Sequence, residues 1–283
     1  MTTTLRPLTA EQRTPDGGRG RLFAVCVNGR QVGRLTASAR SGRSGRRVGE
    51  ITALTIDPPE RGRGRGTVAA LAAEEVLRGW GCVRVRAQVE AGAEADAALR
   101  LAGALGYTVC ARQLLKQLPD SLPELPPGSS GLPLTAEEFS DWYEAETRRR
   151  ADLGTGRGLT PEQARAAAGD RMREALPHGQ RTAGTVLRQL RASGREVGSI
   201  WLNTRTGNLP DAPGPAWVYS VQVAPEYRGH GHGRSLMLLA ERECLDVGVR
   251  RLGLEVCADN APANALHHSL DYRTTRHILD KQL

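Results

Sequence analysis

Hydrophobic and polar positions alternate, then switch period, in one order along the second half of the chain. Residues 186–190 and 196–202 are alternating runs around Ser193-Gly194, which predicts a β-hairpin. Residues 217–223 form an apolar run rich in β-branched and aromatic side chains, which predicts a strand. A glycine-rich stretch follows, and then Leu236, Ala240, Cys244 and Val247 form a stripe at helical spacing. Residues 251–257 predict another strand, 261–270 another helix, and 272 onward a terminal strand. In the first half Val68, Ala72, Val76 and Trp80 form the equivalent helical stripe. The order strand, loop, helix, strand, helix predicts an α/β fold with at least one parallel crossover in each half.

The two halves are copies. The string from Ile56 through Glu60-Arg61-Gly62-Arg63-Gly64-Arg65-Gly66 recurs at an offset of 167 as Val223 through Tyr227-Arg228-Gly229-His230-Gly231-His232-Gly233. Asn28-Gly29-Arg30-Gln31-Val32-Gly33 recurs at 165 as Ser193-Gly194-Arg195-Glu196-Val197-Gly198. Leu114-Leu115-Lys116-Gln117-Leu118 recurs, also at 165, as Leu279-Asp280-Lys281-Gln282-Leu283. Matching segments in one order at nearly one offset indicate a tandem duplication. Residues 119–132 are rich in Pro, Gly and Ser and read as a linker, giving an N-terminal domain over 1–118 and a C-terminal domain over 133–283. Leu8-Thr9-Ala10-Glu11 matches Leu134-Thr135-Ala136-Glu137 at an offset of only 126, so the first copy is shorter by 39 residues. In the second copy those residues carry two capping boxes, Thr135 with Glu138 and Thr160 with Gln163. The first copy is therefore expected to lack most of an N-terminal helical layer.

Composition narrows the chemistry. The formal charge is +8, which favours an anionic partner, and 37 of the 39 basic residues are arginine. Arg40, Arg43, Arg46 and Arg47 read as a solvated loop, and Arg148, Arg149 and Arg150 as a solvated helix face. Aromatic residues are 4%, too few for a platform that stacks single-stranded nucleic acid, so nucleic acid is not the expected partner. No apolar run is long enough to span a membrane, and the start lacks the pattern of a secretory signal. The five cysteines, Cys26, Cys82, Cys110, Cys244 and Cys257, form no CxxC pair and read as buried, reduced residues of a cytoplasmic protein.

The repeated Arg-Gly-x-Gly-x-Gly string lies between a predicted strand and a predicted helix. Glycines admit backbone amides close to a ligand, and the following helix aims its unpaired N–H groups and positive dipole end at the loop. That combination suits a pyrophosphate. A Rossmann loop would need glycine where Arg234 and Thr67 stand, and a Walker loop would need Gly-Lys-Ser/Thr. His230 and His232 have no third ligand nearby in sequence, so no metal is expected.

The string Val-x-Pro-x-x-Arg-Gly-x-Gly-x-Gly resembles the acetyl-CoA-binding motif of the GNAT acetyltransferase superfamily. The resemblance covers nearly the whole chain as two tandem domains, each implying a mixed, mostly antiparallel sheet flanked by helices. It implies fourth and fifth strands that splay to admit the pantetheine arm, with Val221 and Val223, and Ile56 in the first copy, on the receiving strand. It further implies a cosubstrate site at Arg228, Gly229, His230, Gly231, His232, Gly233, Arg234 and Ser235, and in the first copy at Arg61, Gly62, Arg63, Gly64, Arg65, Gly66 and Thr67. Asn260, Ala263, Leu266 and Tyr272 match the segment that follows in the family, most closely in its ribosomal-protein N-acetyltransferase subgroup. His267 stands in place of the tyrosine there and Asp271 in place of the glycine.

Acetylation of an amine needs a neutral nitrogen and a proton for the departing thiolate. The resemblance assigns the base to Glu255, and His267 is chemically able to deliver the proton. Tyr219 and Tyr143 are reserve acids. The first copy has Ala95 for Asn260 and Ala102 for His267, and either Gln88 or Glu90 for Glu255, so the second copy is expected to catalyse. The expected activity is acetyl transfer from acetyl-CoA to a primary amine of a small molecule or protein N-terminus, by direct attack in a ternary complex. Two alternatives remain open: a non-catalytic acyl-CoA-binding or regulatory protein, and an enzyme like mycothiol synthase, whose strand carboxylate finds only Trp217 or Val218 here.

Overall fold

Two turns with a residue in the left-handed region, at Asn28 and Ser193, sit at equivalent places and start the same hairpin twice. The computed structural model describes residues 2–15, 17–41, 47–156, 158–205 and 214–283, so Arg43 and Arg46 lie outside the described residues. In chain order the elements are β1 (Thr3–Pro7), β2 (Gln12–Arg13), β3 (Arg19–Val27), β4 (Arg30–Ser41), β5 (Arg47–Ile56), α1 (Arg65–Gly79), β6 (Cys82–Glu90), α2 (Ala95–Ala104) and β7 (Thr108–Gln117). They continue as β8 (Ser129–Pro133), α3 (Ala136–Thr155), α4 (Pro161–Ala175), β9 (Thr185–Ala192), β10 (Arg195–Asn203), β11 (Ala216–Val223), α5 (His232–Asp246), β12 (Arg251–Cys257), α6 (Ala261–His268) and β13 (Arg273–Gln282). The chain divides into two compact units.

The first unit holds residues 1–112 and 275–283. Its strands run β1-β3-β4-β5-β6-β13, antiparallel except for the β5–β6 pair. The core lies between this sheet and α1, with Phe23, Val25, Leu35, Ile51, Ala73, Leu77 and Val85 inside. The buried stripe of α1 is Ala69, Ala73, Leu77 and Trp80, one residue on from the expected stripe except at Trp80; Val68 is 42% exposed. Alanines there let the helix sit close to the sheet.

The second unit holds residues 113–274. Its strands run β8-β9-β10-β11-β12, with residues 113–117 of β7 beyond β12. The contacts thus assign residues 113–118 to the second unit and 275–283 to the first, and residues 129–132, read as linker from composition, form most of β8. One face packs on α5 through Leu236, Met237 and Ala240. The other face carries α3 and α4, whose capping boxes form as the sequence predicts. Trp201, 1% exposed, anchors that layer with Leu134, Met172, Leu176 and Leu187. Its counterpart in the first copy is Thr36, which offers such a layer nothing to grip.

The parallel pair in each unit is short. β11 pairs β12 at Ala216, Trp217 and Val218 only, and β5 pairs β6 as far as Ile51. Beyond those residues the strands part. A β-bulge accompanies each parting: β10 pairs β11 with Tyr219 left over, and β4 pairs β5 with Ala53 and Leu54 left over, Ala53 at a φ of 52°. The bulge flips side-chain alternation. Ala216 and Val218 face the α5 core before it, Val221 and Val223 after it, so Ser220 and Gln222 turn toward α3.

Each unit is closed by a lysine from the other sequence copy. Lys116 Nζ donates to both carboxylate oxygens of Glu241 at 2.8 Å, Tyr272 Oη donates to the same carboxylate at 3.2 Å, and Lys116 lies 5.6 Å from the Tyr272 ring centre. In the first unit Lys281 makes the same pair with Glu74 at 2.9 and 2.8 Å, over the Tyr107 ring. Glu241 and Glu74 are almost fully enclosed, so each carboxylate depends on its lysine. Urea denaturation of a Lys116→Met variant is expected to show a stability loss of about 3 kcal/mol, since the enclosed Glu241 charge is left without its cation.

Candidate functional site

The chain leaving β11 makes a single 3-10 turn at Pro225–Tyr227 and then climbs through Gly229 and Gly231 into α5. Gly229 has φ +80° and Gly231 φ +83°, and in the first copy Gly62 and Gly64 have +71° and +73°. A Cβ at any of the four would meet nothing within 4 Å, so glycine is required by backbone conformation and not by space. Gly231 and Gly64 are the N-caps of α5 and α1, and neither helix has a side-chain cap or an acidic residue in its first turn. First-turn amides without an intrahelical or side-chain partner remain at both ends.

The last glycine of each string does different work. A Cβ at Gly233 would come within 3.1 Å of Leu266, and one at Gly66 within 3.5 Å of Leu101, so this position lets α6 or α2 approach the loop helix. Arg228 Nε donates to the Val223 carbonyl at 3.4 Å, and Arg61 Nε to the Ile56 carbonyl at 2.8 Å. These arginines fold the loop back onto the end of its strand. Arg234 donates to Ser269 Oγ at 2.6 Å, and Asn260 Oδ1 accepts from the Ala263 amide at 3.2 Å as the cap of α6. Ser235 is buried in α5, Thr67 is half-buried in α1, and His230 is exposed.

One packed pair is among the side chains by which the two loops differ. In the second copy Tyr227 and His232 meet edge to face at 6.3 Å. Their counterparts Glu60 and Arg65 are a buried ion pair, with Arg30 also bound to Glu60. Arg63 also approaches Glu60 to 4.0 Å, so the turn before the first loop carries a carboxylate held among three arginines.

His267 is enclosed in α6, 6% exposed. Its ring meets Tyr272 at 5.8 Å, and Nδ1 has no partner among the described residues. Burial drives its pKa down to about 4, so near neutral pH the imidazole carries no extra proton to give. Glu255 is exposed on β12, the first residue past the last parallel pair, and accepts from Gln113 Nε2 at 3.5 Å. The matching registers Val218–Leu254 and Ile51–Ala87 fix its first-copy counterpart as Gln88, not Glu90.

A network that the sequence did not reveal lies on the α3 face of the same opening. Glu146, 3% exposed, accepts from Arg149 at 2.9 and 2.7 Å, Arg150 at 2.7 Å, Ser220 at 3.2 Å and Gln222 at 3.3 Å. Arg150 also donates to the Tyr219 carbonyl at 3.1 Å and lies 5.1 Å from the Trp201 ring. Arg149 and Arg150 are thus fixed to a buried carboxylate and are not a solvated face. The signal was the i, i+3, i+4 spacing of Glu146 to both arginines, which is also what an exposed helix shows. A groove of about 460 Å³ opens between α3 and α4, lined in part by Tyr143, Glu144, Thr147, Arg148, Asp152 and Arg165. Among the described residues no group of His, Cys, Asp and Glu is placed to hold a metal ion, and no helix is long and apolar enough to cross a membrane. Cys26, Cys82 and Cys244 are buried, whereas Cys110 and Cys257 are half-buried, and burial with nearby Glu241 pushes the Cys244 thiol up to about 12.

The sequence profile of the Acetyltransferase (GNAT) family matches residues 3–107 and 139–272. A mycothiol acetyltransferase of Saccharomonospora viridis is 30% identical over 251 residues, covering 86% of this chain and 76% of that protein. An uncharacterized N-acetyltransferase, YycN, of Bacillus subtilis is 25% identical over 154 residues, covering 53% of this chain and 96% of that protein. Among solved structures, a GCN5-related N-acetyltransferase of Sphaerobacter thermophilus superposes with a TM-score of 0.58 at 21% identity, over 92% of this chain and 80% of that one. A tandem GNAT protein from the clavulanic acid biosynthesis pathway gives 0.50 at 21% identity, over 95% of this chain and 85% of that one.

The enclosed His267 sets an acid limit on stability. Its folded-state pKa lies below the unfolded value, so the unfolded chain binds the extra proton first as pH falls, and stability drops between about 6.5 and 4 by about 3 kcal/mol. A His267→Leu variant should show a correspondingly shallower loss across that window in denaturant titrations at stepped pH.

Proposed function

Because this chain belongs to the acetyltransferase (GNAT) family, we propose that it is an acetyl-CoA-dependent N-acetyltransferase whose second copy carries out the reaction on a primary amine. One observation carries this reading. In the second unit an uncapped helix end, reached through Gly229 and Gly231, follows a strand that has just parted from its parallel neighbour at Val218. The helix end offers amides to a diphosphate, and the parted strand offers backbone to an extended arm. Val221 and Val223 lie on that strand, with their side chains turned to the α5 core and their backbone at the gap. The described residues fit an acetyl-CoA cosubstrate on these grounds: positive-φ glycines, free first-turn amides and no competing carboxylate in the first turn.

The chain's own residues then have separate tasks. Gly229, His230, Gly231 and His232 present the loop backbone, Arg228 holds the loop against Val223, and Arg234 and Asn260 hold α6 beside it. Glu255 takes the proton from the acceptor amine, directly or through a water. The amine attacks the thioester carbonyl carbon in a ternary complex, the C–S bond breaks, and the electron pair leaves on sulfur. The groove between α3 and α4, with charges of both signs, admits the rest of the acceptor.

The first copy binds the same carrier weakly. Its Arg65 is engaged by Glu60 and is less available to a diphosphate, and Thr52 and Gln88 stand where the second copy has Tyr219 and Glu255. A second reading, an acceptor of the mycothiol type, is favoured by the 30% identical relative that covers 86% of the chain.

Acetyl-CoA at 100 times its Kd is expected to raise the stability of the full chain by about 2.7 kcal/mol, read as a thermal shift. A bulky residue at the second loop, Gly231→Val, should remove that shift and the release of free thiol in the presence of primary amines. Loss of both through Gly64→Val, with Gly231→Val unaffected, would falsify the assignment of chemistry to the second copy.

A further inference from the structure

We infer that Tyr219, the residue extruded by the β11 bulge, is the catalytic acid that protonates the departing thiolate; this rests on the N-acetyltransferase reading above. Extending the parallel register by one residue past Val218–Leu254 sets Tyr219 opposite Glu255, at the mouth of the gap between β11 and β12. Both turn to the same face of the sheet. Leu254 and Val256 belong to the α5 core, so Glu255 between them faces away from it. Tyr219 stacks on Trp201 at 4.9 Å and 30°, and Trp201 is on the α3 face. An acid and a base thus flank the point where the strands separate.

The position along the strand fits the carrier. From Tyr219 to Val223, where the glycine loop begins, an extended chain covers about 13 Å. A pantetheine arm laid along this edge from a diphosphate at Gly229 and Gly231 brings its thioester to the bulge end of the gap. Tyr219 is held there from two sides, by the Trp201 ring and by Arg150, which donates to its carbonyl at 3.1 Å and is itself held by Glu146. The phenol is 41% exposed, and no hydrogen bond to its hydroxyl is present among the described residues.

The other candidate acids are committed elsewhere. His267 is enclosed and neutral near pH 7, and a neutral imidazole N–H is a far weaker acid than a phenol. Tyr272 donates to Glu241 from within the core. The first copy has Thr52 at the Tyr219 position and Gln88 at the Glu255 position, so acid and base are lost together where the acceptor layer is also missing.

The step balances without another reagent. The amine nitrogen bonds to the carbonyl carbon, the C–S bond breaks, the Tyr219 hydroxyl proton passes to sulfur, and the ammonium proton passes to Glu255. The phenolate regains a proton from solvent as Glu255 releases one.

Wild-type full chain and Tyr219→Phe are compared by calorimetric titration with acetyl-CoA and by free-thiol release from acetyl-CoA over a panel of primary amines. The expected result is a Kd for acetyl-CoA within about threefold of wild type, thiol release slower by about 100-fold, and loss of the alkaline fall in rate that marks an essential acid. Near-UV circular dichroism reports whether the aromatic stack survives, and Tyr219→Trp, which keeps a ring but no acid, should be as slow as Tyr219→Phe. Thiol release by Tyr219→Phe at the wild-type rate, or with its alkaline limb retained, overturns the inference. So does a wild-type chain that binds acetyl-CoA and releases no thiol with any amine, since no thiolate is then formed. Absence of acetyl-CoA binding by wild type overturns instead the reading on which the inference rests.

Discussion

The separation of two parallel strands is the constraint from which the rest of the site follows. Parallel strands keep together because each residue satisfies its neighbour's backbone groups, and a strand edge left open in a sheet interior needs another partner. In both units the pairing stops at the same place, Val218 with Leu254 and Ile51 with Ala87, and in both a bulge on the outer strand accompanies the stop. The bulge flips side-chain phase, so Val221 and Val223 still pack on α5 while the backbone swings away from β12. The core remains continuous although the sheet has a gap. Glycine supports the geometry from the other side. A Cβ at Gly198 would approach the Gln222 carbonyl to 2.1 Å, and one at Gly33 the Thr55 carbonyl to 2.2 Å, so the partner strand can follow the curve only with no side chain there.

On this shared frame the two copies have diverged in side-chain chemistry as well as in the α3–α4 layer that only the second carries. The pair Tyr227 with His232 and the pair Glu60 with Arg65 occupy equivalent sites, one aromatic and one ionic. Trp201 grips a helical layer, and Thr36 has none to grip. The opposite face of the first sheet is stabilised differently, by cross-strand pairs such as Arg84 with Asp280 and Arg276 with Glu90.

Most of this frame was legible in the sequence because duplication supplies its own control. Two copies of Arg-Gly-x-Gly-x-Gly at one offset located the loop helices, and the capping boxes at Thr135 and Thr160 located the extra layer within a residue or two. What stayed hidden depends on which way a side chain turns. The stripe of α1 was read one residue early because alanines on both sides of the true face carry little apolar contrast. His267 was read as the proton donor, and its enclosure was hidden because a short helix with polar neighbours does not announce a buried face. Glu146 was missed because an i, i+3, i+4 charge cluster looks the same enclosed as exposed. Tyr219 was visible only as a reserve acid beside Tyr143, since a bulge leaves no mark in hydrophobic alternation until the partner register is known.

The caps of the two loop helices show why the site cannot be read as a by-product of folding. A Ser, Thr or Asp at Gly231 would satisfy one of the first-turn amides and would ordinarily be preferred there to glycine. Such a residue would have to adopt a φ near +83°, which L side chains resist, and its oxygen would then occupy the space left for an anion. Neither α5 nor α1 compensates with an acidic residue in its first turn, although α3 and α4 both do. α3, α4 and α6 each carry a side-chain cap, and of the uncapped helices α1, α2 and α5 only α2 has an acidic residue in its first turn. In the first copy Glu60, just before the loop, is taken up by Arg65 and Arg30, and in the second Tyr227 and His232 stand at those places. Both ends are bare, but only in the second copy does the parted strand carry Tyr219 and face Glu255, so uncapped amides, parted backbone and titratable side chains coincide in that unit alone.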